Sequence, residues 1–125
     1  MVAIVTLKAL TAIFLVIAIR VDGQCTLSNL EVHQYDTGRP YQGTSLFAVT
    51  IINRCTPLCD QSNVKLNCTG FKTVKPIDPS ILNVSGDVCI VKNGQPITID
   101  DPVNFHYAYD YSFNLNPISS DIHCH

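Results

Sequence analysis

Cys55, Cys59 and Cys68 lie close together in CTPLCDQSNVKLNCTGF, and Cys68 sits inside the triplet Asn67-Cys68-Thr69. Metal binding, redox exchange and disulfide bonding would all use such a cluster. A structural zinc site favours Cys-x2-Cys pairs or a mixed Cys/His set held as thiolates. A thioredoxin-like pair also needs two intervening residues, within a βαβ setting. The spacing here is Cys-x3-Cys, which fits neither. With Cys25, Cys89 and Cys124 the chain has six cysteines, all after residue 24. In an oxidising compartment an even set of this kind reads as three disulfides. The loop between Cys55 and Cys59 is short, so each is expected to reach a different partner; the pairing itself stays open.

The remaining reactive side chains do not assemble into a catalytic set. The sequence holds no GxSxG, HExxH or phosphate-cradling glycine loop, and no serine or free cysteine is paired with a base. Asp100 and Asp101 are neighbours that would point apart in an extended chain, and they read as a turn before a strand. His123-Cys124-His125 could imitate a metal-binding end, but it reads as a flexible tail around a structural cysteine. His33 and His106 oppose apolar faces and are expected to face solvent. Phe105, Tyr107 and Tyr109 read as core packing with a polar rim rather than a sugar-stacking platform. Tyr41, Tyr109 and Tyr111 remain candidates for an exposed binding surface, where tyrosine is favoured. No catalytic residue, metal ligand or cofactor is expected, and the chain is not expected to be an enzyme.

The compartment follows from residues 1–23. A weakly basic start with Lys8 leads into an apolar run from Ala9 to Ile19, interrupted only by Thr11. That is the length of a signal-peptide core, and short of the roughly 20 residues that span a membrane. Val21 and Gly23 suit the small-residue positions before a cut after Gly23. The division expected is therefore a signal peptide over 1–23 and one cysteine-rich domain over 24–125, secreted to the extracellular space, with no membrane insertion after cleavage. Eight Lys and Arg against ten Asp and Glu give a net charge of −2. Without a basic cluster to displace phosphate counterions, neither nucleic acid nor an anionic membrane is an expected partner. Asn67-Cys68-Thr69 and Asn83-Val84-Ser85 both match the N-glycosylation acceptor pattern. In a strand, Val64, Leu66 and Cys68 would face inward while Lys65, Asn67 and Thr69 face solvent.

These residues need elements to hold them, and the pattern is that of strands. Leu30 and Val32 alternate with Asn29, Glu31 and His33, giving a first strand over 27–34. Residues 36–45 are turn-rich and read as a loop. Residues 46–55 are apolar on nearly both faces, as in a central strand. Residues 63–71 form the next strand. Pro76 and Pro79 break residues 72–87 into a loop, with a short helical turn over 79–82. Residues 88–99 read as a hairpin turning at Asn93-Gly94, with Pro96 on an edge. Val103, Phe105, Tyr107 and Tyr109 alternate cleanly with polar residues, and 112–116 suits a last strand. The expected fold is all-β: a single disulfide-stapled antiparallel β-sandwich of about seven short strands.

In order along the chain stand the opening cysteine with LEVHQ, FAVTIINRC, the Cys-x3-Cys pair, VKLNCTGF, PIDP, CIVKNGQPI, FHYAY and the closing cysteine. This series resembles the Tapetum Determinant family of small secreted cysteine-rich plant proteins, over Cys25 to Cys124. The resemblance implies a secreted ligand for the leucine-rich-repeat ectodomain of a plant receptor kinase, acting in the apoplast in reproductive or developmental cell-fate specification. The loops 36–45 and 72–87 are the expected contact surfaces; individual receptor contacts are not assignable. The competing reading is an apoplastic glycan- or cell-wall-binding module without catalysis.

Overall fold

The computed structural model describes residues 25–55 and 58–125; the expected signal segment 1–23 lies outside the described residues. Seven strands form two antiparallel sheets. They are β1 (Leu30–Tyr41), β2 (Thr44–Asn53), β3 (Cys59–Asn67), β4 (Leu82–Ser85), β5 (Val88–Val91), β6 (Val103–Tyr109) and β7 (Asn116–Cys124). The strand orders are β1-β2-β6 and β4-β5-β3-β7. One buried apolar cluster takes side chains from both sheets, with Phe47, Val49 and Ile51 from one and Val64, Leu66, Cys89 and Val91 from the other. At its centre Tyr107 packs on Phe47 and Phe71, with ring centroids 5.1 Å apart in both pairs.

The alternation that identified the strands also decides what they bury. On β6, Val103, Phe105 and Tyr107 are buried while Asn104 and His106 are exposed. On β3, Val64 and Leu66 are fully buried on either side of exposed Lys65. β2 is the central strand of its sheet, as its composition required, pairing with β1 and β6.

Several local expectations are corrected, among them the strand expected over 63–71, which runs Cys59–Asn67. Residues 27–29 form a 3-10 turn, so the first strand begins at Leu30 and continues to Tyr41. Residues 36–45 are not an open loop but the end of a long β1–β2 hairpin. Gln42 and Gly43, at φ 47° and 81°, supply the two positive-φ positions that a two-residue turn requires. Within 72–87 the helical turn is a single hydrogen-bonded turn at Asp78–Ile81, and Leu82 opens strand β4. β5 turns back on β4 through Gly86-Asp87, not forward through Asn93-Gly94. It lies between β4 and β3 and has no free edge for residues 96–99, which contribute only an isolated bridge from Ile97 to Gln61. Lys92, Asn93 and Gly94 all take positive φ, which turns the chain out of the sheet. Finally, residues 112–115 are not a strand, and the supposed flexible tail ends β7, nine residues that begin at Asn116 and pair with β3. Its polar sequence suits an edge strand that is mostly exposed. The strands are also not uniformly short: β1 has 12 residues and β2 has 10.

Three disulfides tie these elements together, and Cys55 and Cys59 do reach different partners. Cys25–Cys55 fastens the chain before β1 to the end of β2; Cys59–Cys124 joins β3 to β7 at their paired ends; Cys68–Cys89 joins the end of β3 to β5. Two buried amides organise the space between the first two bridges. Asn53 donates to the carbonyls of Cys59 and Ile97, both at 2.8 Å, and accepts from the Cys55 amide. Gln61 donates to the Thr26 carbonyl at 3.1 Å and accepts from the Ser120 hydroxyl at 2.6 Å. Buried amides of this kind are tolerated because their hydrogen bonds are met.

Candidate functional site

The expected surface at 36–45 gains its shape from a bulged hairpin. The β1–β2 register shifts between Asp36 and Pro40. Gly38, at φ 77°, takes the backbone position that the bulge demands. The Asp36 carboxylate accepts from the Gly38 amide at 2.9 Å, and the Thr37 hydroxyl donates to the Leu46 carbonyl across the hairpin at 2.8 Å. Pro40 is tolerated because β1 is an edge strand and needs no donor there. The bulge sets Arg39 between two open clefts. One, of about 430 Å³, is lined by residues including Asp36, Arg39, Thr44 and Asp110. The other, of about 460 Å³, is lined by Tyr35, Thr37, Arg39, Leu46 and His106. Among the described residues no carboxylate comes within ion-pairing distance of Arg39.

The second cleft lies on the outer face of the three-stranded sheet. Tyr35 on β1, Ala48 on β2 and His106 on β6 stand in register there. Tyr35 is 64% exposed. One pairing step away are His33, Thr50 and Asn104, with the Thr50 hydroxyl donating to Asn104 at 2.7 Å. Glu31, on the same strand face, meets His33 at 2.8 Å and Arg54 at 3.2 Å. Those two hydrogen bonds hold its carboxyl below the ordinary carboxylate value, His33 contributing most. The face therefore presents an exposed tyrosine and an unpaired arginine beside a small polar network, the residue types enriched at protein interfaces.

Other expected residues fall elsewhere. Tyr109, Tyr111 and Phe113 form one aromatic cluster beyond the end of β6, with centroids 5.1–5.3 Å apart. Phe113 is buried, Tyr109 half-buried and Tyr111 59% exposed, so the cluster caps the core and shows one ring to solvent. Tyr41 is half-buried near the hairpin tip, with the Lys75 ammonium 5.8 Å from its ring centre. His33 and His106 are exposed. Asp100 and Asp101 lie at a turn, where Asp100 accepts from Thr98 and Asp101 sits 3.5 Å from Lys92. His125 meets Asp60 at 3.0 Å and stacks edge-on against His123, 4.9 Å away. No three potential metal ligands converge among the described residues. In the 72–87 segment, Lys72 and Thr73 lead to a pairing along β6, where the Val74 amide donates to the Ala108 carbonyl at 2.7 Å. That hydrogen bond anchors the start of the segment against β6, while Asp78–Ser80 and Asn83–Asp87 remain exposed.

Arg39 lies within the expected contact segment 36–45, whereas Tyr35 lies just outside it. The available signal for Tyr35 was the alternation of Glu31, His33 and Tyr35, which continues past residue 34 and marks an outer strand face.

The family model described as Tapetum determinant 1, C-terminal matches residues 26–125. TPD1 protein homolog 1 of Arabidopsis thaliana is 26% identical over 101 residues, covering 80% of this chain and 56% of the relative. TPD1 protein homolog 1B of Oryza sativa subsp. japonica is 29% identical over 92 residues, covering 73% and 54%. An uncharacterized protein of Arabidopsis thaliana is 33% identical over 81 residues, covering 62% of each chain. The chain spans little more than half to about three fifths of the length of these curated relatives. No solved structure matches it.

Proposed function

Because the chain belongs to the Tapetum determinant 1 family, we propose that it is a secreted, non-catalytic signalling ligand in plants. Its partner in this reading is the leucine-rich-repeat ectodomain of a receptor kinase, met in the apoplast after removal of residues 1–23. The observation that carries the reading is the family match along the whole described domain. We read the two sheets as layers of a sandwich, since one apolar cluster draws on both. That leaves the outer face of the three-stranded sheet free for a partner. Tyr35, Arg39 and His106 are the residues of that face assigned to the contact: tyrosine and arginine are the types that most often carry interface energy.

The test is binding of the oxidised domain to a panel of leucine-rich-repeat ectodomains, followed by calorimetry. Saturable binding to one ectodomain, lost when the disulfides are reduced, supports the proposal. Silence across the panel by folded protein, together with saturable binding to wall polysaccharide, would favour the glycan-binding alternative, for which exposed Tyr111 is the natural platform.

A further inference from the structure

The fold brings the two acceptor triplets to one surface. On β3, Asn67 stands between fully buried Leu66 and Cys68, so it points away from the core. On β5, Val88 and Ile90 flank fully buried Cys89 and therefore share that outer face. The register then runs Asn67–Val88–Ser85 in one row and Lys65–Ile90–Asn83 in the next. Asn67 and Asn83 are thus two strands and two residues apart on the same face of the four-stranded sheet, a separation of roughly 12 Å from strand spacings. Asn83 is exposed and lies on β4, the edge strand of its sheet. At Asn67 the side-chain oxygen accepts from the Thr69 hydroxyl at 2.7 Å and the Thr69 amide at 3.3 Å, while its nitrogen has no partner among the described residues.

We propose that Asn67 and Asn83 both carry N-linked oligosaccharides, which together cover the outer face of the four-stranded sheet. The co-reactant is a lipid-diphosphate-linked oligosaccharide. The carboxamide nitrogen bonds to the anomeric carbon, the bond from that carbon to the diphosphate oxygen breaks, the nitrogen loses one proton, and the lipid diphosphate leaves. The half-buried Val88 and Ile90 lie between the two sites, where the first sugars would cover them. A glycan on Asn83 also shields an edge strand that would otherwise be open to pairing with another chain. This modification rests on the secreted reading above, because the transfer takes place in the secretory pathway.

The test is intact mass and peptide mapping of the full chain expressed in plant cells, on protein recovered from the medium and from the cells. The expected result is two oligosaccharide increments, at the peptides holding Asn67 and Asn83, with Asn67→Gln and Asn83→Gln each removing one. Amidase release should leave Asp at both positions. Secreted protein with either site unmodified would overturn this proposal while leaving secretion intact. Unmodified protein found only inside the cell would overturn both.

Discussion

Tyr107 is fully buried, yet its hydroxyl is not wasted: it donates to the Gln34 side chain at 2.6 Å and accepts from the Phe113 amide at 3.0 Å. The same ring stacks on Phe47, so one residue links the core to the segment that follows β6. Burial raises the pKa of its phenol above the ordinary 10.0, outweighing the opposing pull of the Phe113 amide. An ionised Tyr107 is thus disfavoured in the folded state relative to the unfolded chain. Its contribution is fully present below the unfolded value and is lost as pH rises through the higher folded value. Tyr107→Phe should cost about 1–3 kcal/mol near neutral pH by stranding the Phe113 amide, and should flatten the alkaline limb of a denaturation profile. Asn53→Ala should cost about 2–4 kcal/mol, because it leaves the buried Cys55 amide and Cys59 carbonyl without their partner. Urea titrations of both variants measure these losses. Asn53 gave no sign of this role in sequence, since its partners at Cys59 and Ile97 are set by how the two sheets meet.

The elements differ in how readily the chain declares them. β6 and the middle of β2 and β3 were legible because apolar and polar residues alternate, or because both faces are apolar. The β1–β2 hairpin was not, because Asp36-Thr37-Gly38-Arg39-Pro40 has the composition of a loop and the geometry of a bulge. β7 was hidden for a similar reason: an exposed edge strand needs no apolar face, and only its pairing with β3 reveals it. Asn93-Gly94 suits a hairpin, but the competition for the edge of β5 was won by β3 and β4. Two predictions belong to this scale. Gly43→Val, at a φ of 81°, should destabilise the hairpin by about 1–2 kcal/mol, seen as faster amide exchange across its tip. Among the bridges, replacing Cys59 and Cys124 by serine should cost most, about 4 kcal/mol against about 3 for the Cys68–Cys89 pair, because their sequence separations are 65 and 21. The ranking of thermal midpoints of the two double variants checks it.

Taken whole, the two proposals fall on different sheets of the molecule. The four-stranded sheet carries both acceptor asparagines, and the three-stranded sheet carries exposed Tyr35 and Arg39, which has no ion-pair partner among the described residues. The cysteine set, the family and segment 36–45 as a contact surface were legible in the sequence, but the full extent of the proposed contact face was not, because it exists only once β2 lies between β1 and β6 and sets Tyr35, Ala48 and His106 in one row. Tyr35→Ala with Arg39→Glu removes the side chains assigned to the partner and leaves the core and the three bridges untouched. The most direct measurement is therefore calorimetric titration of the wild-type protein and this double variant against a panel of leucine-rich-repeat receptor ectodomains, with thermal unfolding of both recorded alongside. The account predicts saturable wild-type binding to one ectodomain and a loss of about 30-fold or more in the double variant, at an unchanged thermal midpoint. Equal binding by the two proteins, or no binding of folded wild-type protein to any member of the panel, would contradict it.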